Sequence, residues 1–302
     1  MKILMTLGIV AGVLTASLGQ TVTVQLDLEK GATYGQQSLS NVTVSQNYGG
    51  QQVDIQAKVD GKATFKVLAI TDTGYDLEVE YEYLNMTMEL PTGAMEFGSD
   101  NPNSDDVMSS ILAAMMHKPF GITMTRQGRV TEVRNISALF ESAFEKYPDL
   151  TDEQKRQIIA NIGQSFNEEG FKGNIEMVTA VFPAGPVAVG DTWSGQTELQ
   201  SGMPSSVKTE YRLEAVEGDH YVISGKSEIE SFEDPNNTLP MTYQMSGTMT
   251  STIKLAKKTG WIRDASIKQS LSGKVIFADN PQMPGGMEVP MSMESEIAIA
   301  DQ

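Results

Sequence analysis

Tyr243-Gln-Met-Ser-Gly-Thr-Met-Thr-Ser-Thr-Ile-Lys-Leu255 alternates strictly between two kinds of residue. Tyr243, Met245, Gly247, Met249, Ser251, Ile253 and Leu255 share one parity. Gln244, Ser246, Thr248, Thr250, Thr252 and Lys254 share the other. A strand turns successive side chains to opposite faces, so this stretch reads as a strand with one buried and one wet side. Roughly twelve to fourteen such stretches recur along the chain, which makes sheet the dominant expectation.

Outward from that stretch, the chain divides into three parts. Over 20–98, Val22, Val24, Leu26 and Leu28 alternate, as do Val53, Ile55, Ala57 and Val59, then Phe65 and Val67. Gly49-Gly50, Asp60-Gly61 and Thr73-Gly74 supply turn chemistry between them. Leu77, Val79, Tyr81 and Tyr83 share a parity that Leu84, Met86, Met88 and Leu90 abandon, which predicts a β-bulge near Tyr83–Leu84. Over 104–183 the period becomes helical, interrupted by a hairpin with Ile122 and Met124 before a Gln127-Gly128 turn and Val130 and Val133 after it. Val107, Met108, Ile111, Leu112, Met115 and Met116 recur behind two acids, and Asn135 precedes Ile136, Leu139, Phe140, Ala143 and Phe144. Thr151 and Gln154 form a capping box for a third helix, and 171–182 reads as a fourth. Over 187–300 the strand pattern returns, with Gly218-Asp219, Thr259-Gly260 and Ser272-Gly273 read as turns. The expectation is a single α+β domain over 20–302: a curved antiparallel sheet, or half-barrel, with three to four central helices on its concave face.

Residues 1–19 carry Lys2, an uncharged apolar run and the small residues Ser17 and Gly19, the layout of a secretory signal cleaved before Gln20. The run is too short to span a bilayer, which takes about 20 apolar residues. The expected protein is therefore exported, periplasmic or extracellular in a Gram-negative bacterium, and not integral to a membrane. The absence of Cys excludes disulfides and a lipidated cysteine. Loss of Lys2 takes the net charge from −17 to −18, which disfavours nucleic acid.

Reactive constellations are scarce. The only imidazoles, His117 and His220, lie near no Gly-x-Ser-x-Gly elbow, and two distant His without Cys make a transition-metal site improbable. Asp76, Glu78, Glu80 and Glu82 form an acidic column, read as a solvated face. The stretch from Asp100 to Asp106 lacks the glycine and terminal glutamate of a calcium loop. No catalytic residue, metal or cofactor is expected. Methionine stands out: 18 in all, clustered at 86–95, 108–116, 241–249 and 283–293. Unbranched and polarisable, Met lines surfaces that adapt to apolar partners. Met108, Met115, Phe140, Phe144, Met245 and Met249 are the candidate lining of an apolar cavity between sheet and helices.

Phe182-Pro-Ala-Gly-Pro-Val-Ala-Val-Gly-Asp-Thr-Trp193 resembles a Pro…Val-x-Val-Gly-Asp-x-Trp signature of uncharacterised exported bacterial proteins, and Thr259-Gly-Trp-Ile262 is similar to a second piece of that group. The resemblance implies structural roles for Pro186, Gly190, Asp191, Trp193 and Trp261, and nothing catalytic. The layout is similar to the half-barrel of periplasmic lipoprotein carriers. The expected function is non-catalytic binding of a lipid or other apolar molecule. The alternative is a structural or protein-interaction module of the envelope with a filled core.

Overall fold

The computed structural model describes residues 20–100, 106–144, 147, 150–155, 167–200, 202–233, 241–279 and 284–302, without the side chains of 140–142. The proposed signal at 1–19 lies outside them. Twelve strands build one antiparallel sheet: β1 (Thr33–Tyr48), β2 (Gln51–Ile70), β3 (Gly74–Leu90), β4 (Gly93–Gly98), β5 (Phe120–Thr125), β6 (Val130–Arg134), β7 (Thr192–Leu199), β8 (Ser205–Glu217), β9 (His220–Ser231), β10 (Met241–Ala256), β11 (Ile262–Phe277) and β12 (Met287–Ala300). The helices whose bounds lie among the described residues are α1 (Val107–Met115), α2 (Ile136–Phe144) and α3 (Glu168–Thr179).

The α+β expectation is wrong. The protein is mostly β, with 61% of residues in strands and 12% in helix. Two causes stand out. Asp60-Gly61 and Ser272-Gly273, read as turns, lie inside β2 and β11. Glycine inside a strand marks close backbone approach rather than a reversal. A Cβ at Gly273 would strike the Gln244 carbonyl of β10, and one at Gly61 would press on Leu84 of β3. The strands are consequently long, 20 residues in β2 and 16 in β1, β10 and β11. The hairpin expected around Gln127-Gly128 is present as β5–β6, and the helices beside it are short. The capping box does form: Thr151 N–H donates to Gln154 Oε1 at 2.9 Å, and Gln154 N–H to Thr151 Oγ1 at 3.3 Å. The body of the third predicted helix, at 156–166, lies outside the described residues.

Strand order is β6-β5-β3-β2-β1-β12-β11-β10-β9-β8-β7, with β4 added to β3. The chain starts at the sheet's centre, meanders to the β6 edge, crosses through the helices to the β7 edge, and meanders back until β12 pairs with β1. Between Tyr81 and Tyr83 the β2–β3 register slips by one residue opposite Lys62 and Ala63. The bulge read from parity is thus present, and it keeps both Tyr81 and Leu84 against the core.

The crossover closes the sheet. Helix α3 packs on both terminal strands, β6 and β7. Asn167 caps it by accepting the Gly170 N–H at 2.7 Å, and Glu168 and Glu169 complement its positive end. Buried Glu176 accepts the Val130 N–H at 2.8 Å and the Arg129 guanidinium at 3.0 Å, while Arg129 also reaches the Thr197 hydroxyl of β7 at 3.4 Å. Gly128 has φ of +73° under the Thr179 carbonyl, where no side chain fits. An extended N-terminal segment closes one end. Val24, Leu26 and Leu28 are buried, Val22 bridges Val187, and the Leu26 and Asp27 amides donate to Arg126 and Thr259 carbonyls. The Tyr75 hydroxyl donates to the Leu26 carbonyl at 2.9 Å and accepts the Leu28 N–H at 3.2 Å.

Removing the Glu176 carboxylate orphans the Val130 amide and an arginine that is one-third exposed. Glu176→Ala should cost about 2 kcal/mol, a value discounted for the arginine's solvent screening. Urea unfolding with an unchanged m-value measures it, and a change below about 0.5 kcal/mol contradicts the closure described.

Candidate functional site

Parity along the long strands sends one set of side chains inward. On β10, β11 and β12 that set comprises Met241 to Leu255, Ala265 to Phe277, and Met287 to Ile299 at alternate positions, with no charged residue among them. Ladder pairing then aligns Met245 with Gly273 and Met291, and Val44 with Ile55 and Met293. Met88 pairs with Met95 of β4 and Ala57 of β2, and Met86 with Phe97 and Val59. The methionine clusters at 86–95, 241–249 and 287–293 therefore share one face, a convergence that strand parity alone could not establish.

The four candidates Met115, Phe144, Met245 and Met249 are brought into a single packed core. Met108 is half-buried on α1, where its N–H donates to the N-cap carboxylate of Asp106 at 3.0 Å. The Phe140 side chain lies outside the described residues. The burial of the inner face is uneven. Around Phe65, Leu77, Ile122 and Ile253 it is complete, beneath the helices and the N-terminal segment. Towards the β1–β2 and β3–β4 turns, Val42, Val44, Val53, Ile55, Met86, Met88, Met291 and Met293 are only half-buried, and Met95 is 44% exposed. Sequence reasoning missed these positions as a group, because the methionines of β3, β4 and β12 come from distant segments.

Each carboxylate of the acidic column has a basic side chain beside it. Asp76 pairs with Arg134 at 2.9 Å, Glu78 with Lys66 at 3.6 Å, Glu80 with His117 at 3.1 Å and Glu82 with Lys62 at 2.9 Å. Among the described residues no three His, Asp or Glu side chains gather as a metal site. His220 lies against Asp219 at 3.2 Å and Glu217 at 3.4 Å in an exposed turn. Its hydrogen bond, followed by that of Arg263, holds the Asp219 carboxyl below the usual carboxylate range. No helix among the described residues is long and apolar enough to cross a membrane.

The glycine–aspartate–tryptophan segment is a clamp. The Asp191 carboxylate accepts the Ala188 N–H at 2.8 Å, its own N–H donates to the Ala188 carbonyl at 3.0 Å, and the Gly190 N–H donates to the Leu213 carbonyl at 2.7 Å. Gly190 has φ of +96°, which the turn requires. Exposed Pro186 leads into Val187, the partner of Val22. Trp193 donates to the Val181 carbonyl at 3.0 Å and stacks on Tyr211 with ring centres 6.0 Å apart. Trp261 packs between Tyr34 and Phe65, at 5.1 and 5.2 Å, and donates to the Gly35 carbonyl at 3.4 Å.

Trp193 and Trp261 both fall within residues 72–262, which match the model of a family of unknown function (DUF6263). The chain belongs to that family. No curated protein matches it. Among solved structures, an outer membrane channel from Pseudomonas putida F1 is similar at 8% identity, covering 92% of this chain and 97% of that one, with a TM-score of 0.23. A DUF1329 family protein from Desulfovibrio piger is similar at 8% identity, covering 86% and 83%, with a TM-score of 0.14. Likeness at that level carries no argument about this DUF6263 protein.

The two tryptophans report on the two clamps. Trp193→Phe should leave a blue-shifted emission, poorly quenched by acrylamide, because Trp261 is 3% exposed. Trp261→Phe should leave a half-buried, more readily quenched indole. Trp261→Ala should cost about 3–5 kcal/mol in chemical denaturation.

Proposed function

We propose that this DUF6263 protein is an exported, non-catalytic protein that holds a lipid acyl chain or other apolar molecule against the methionine-rich end of its inner sheet face. One observation carries the reading. A single uncharged face is sealed at one end and left half-exposed at the other, over Val42, Val44, Ile55, Met86, Met88, Met291 and Met293. Apolar patches of this kind mark binding surfaces. Covering about 300 Å² of it would contribute roughly 7 kcal/mol at about 25 cal/mol per Å², before the cost of association. Methionine suits ligands of variable shape, because three rotatable bonds let it repack around each one. Met245 adjoins the exposed end through Gly273 and Met291.

A second reading, a structural or interaction module of the envelope, is supported by the burial of Met115, Phe144, Met245 and Met249 in a filled core. The two part on whether the exposed end takes a small molecule.

Titration with a dansyl-labelled fatty acid should give saturable binding with a blue shift and micromolar Kd. Met88→Lys with Met293→Lys should weaken it at least tenfold while leaving the melting temperature within a few degrees, since both side chains are only half-buried. Absence of saturable binding by the unsubstituted protein, together with lipid-free organic extracts, defeats the proposal.

A further inference from the structure

The inner face that ends in the half-exposed methionines is uncharged, but it is not apolar throughout. Ladder register places Ser251 of β10, Gln269 of β11 and Ser295 of β12 on it, with Gln269 directly opposite Met249 on one side and Ser295 on the other. Ser251 lies one rung further in, opposite Ile267. The patch separates buried Ile253, Ile267 and Ile299 at the sealed end from Leu271 and Met293 towards the open one. Other hydroxyls of this face are satisfied by the protein itself. Thr209 and Ser227 bond each other at 2.8 Å, and Ser205 donates to the Met203 carbonyl at 2.9 Å. Ser231 accepts the Met245 N–H at 2.8 Å and donates to the Tyr243 carbonyl at 2.9 Å. Among the described residues the side chains of Ser251, Gln269 and Ser295 make no hydrogen bond, although Ser251 is only 8% exposed and Ser295 only 5%. Buried hydroxyls are normally paired, and an unpaired one costs stability that alanine, close to serine in shape, would avoid. Half-buried Gln269 and half-buried Met293 connect the patch to the open end.

We propose that the molecule held on this face is an acyl chain bearing a hydroxyl group well inside its length, and that Ser251, Gln269 and Ser295 hydrogen-bond that hydroxyl. The inference rests on the apolar reading of the face and narrows its ligand class. Serine hydroxyls and a glutamine amide both donate and accept, and so does a ligand hydroxyl, whereas an ester or ketone oxygen only accepts. The alternate inner positions of β1, β2 and β10 to β12 hold no charged residue, so a carboxylate carried to this depth would be buried without a partner. Its place is the open end, in water. Met291 and Ser295 are four residues apart on β12. That separation is about 14 Å, which an extended hydrocarbon covers in roughly eleven carbon–carbon bonds. A carboxylate at the Met291 rung therefore brings the twelfth carbon to Ser295. A plain acyl chain of the same length leaves the three polar groups facing methylenes.

Displacement of the dansyl-labelled fatty acid from the full-length mature protein tests it, with octadecanoic, 12-hydroxyoctadecanoic and 2-hydroxyoctadecanoic acids as competitors. The 12-hydroxy acid should bind at least tenfold more tightly than either of the others, because a 2-hydroxyl stays at the open end in water. Ser251→Ala with Ser295→Ala should abolish that preference, leave the affinity for octadecanoic acid unchanged, and keep or raise the melting temperature. Displacement by octadecanoic acid with no tighter binding of the 12-hydroxy acid, relative to it or to the 2-hydroxy acid, overturns this inference and leaves the apolar reading standing. A preference that survives both alanine substitutions overturns the assignment to these serines. No saturable binding of the probe or of any of the acids overturns both.

Discussion

The contact of one helix with both free edges of a twelve-stranded sheet governs the rest of this structure. An open edge presents unpaired amides and carbonyls that invite pairing with another chain. Here the first and last strands of the path, β6 and β7, converge on α3, and the carboxylate of Glu176 takes the amide of Val130 that would otherwise lie bare. Arg129 ties the same carboxylate to Thr197 on the opposite edge. The sheet must curl for one 12-residue helix to touch both ends, and the curl creates an inside and an outside. The proposed apolar site rests on that division, on the uncharged inner face.

Much of this could be read from the residues, and the failures have identifiable causes. Period-two parity located runs in β2, β3 and β8 to β12 but not the 16-residue β1, and the parity switch at Tyr83–Leu84 located the bulge, because a register slip has to show in the pattern of any strand with one buried side. Asn135 as the lead-in to α2 and the Thr151–Gln154 box were readable for the same reason: their chemistry is local. Glycine was not. Gly49-Gly50 does turn the chain at φ of +60° and +91°, whereas Gly61 and Gly273 sit mid-strand where a neighbouring backbone or side chain comes too close for a Cβ. Sequence cannot tell these uses apart, since both depend on what lies beside the residue in space. Misreading them cut long strands into short ones and inflated the weight given to the helical middle.

The candidate site divides along the same line. That methionine is concentrated was visible, and so was its parity on β10. Which methionines face outward from the core depends on where α1, α2 and α3 stop covering the sheet, a tertiary fact. Among the described residues the helices pack chiefly on β3 to β7, and the inner faces of β1 and β12 carry no extensive helical cover. Met245 and Met249 fell under cover, while Met88, Met291 and Met293 did not. The acidic column lies on the solvated face expected for it, and what the sequence did not show is its partners. Each carboxylate meets a basic side chain from β2, from β6 or from His117 just beyond α1, at distances of 2.9 to 3.6 Å.

A half-exposed apolar face is a hazard in any β protein, and the way this one is bounded says something about its use. The lateral strand there is β4, only six residues long, with Gly93 and exposed Glu96 along it. A short edge carrying a charge is a poor template for a partner strand. The apolar surface is thus protected against edge-to-edge pairing without being covered. Filling it with bulkier side chains from β1 or β12 would have sealed it and added stability, since burial of a further aliphatic group contributes about 0.8 kcal/mol per methylene. Instead the positions hold valine and methionine, which leave the space open and, in the case of methionine, pliable. Protection of the edge combined with openness of the face fits a surface kept for a small guest better than one awaiting another strand.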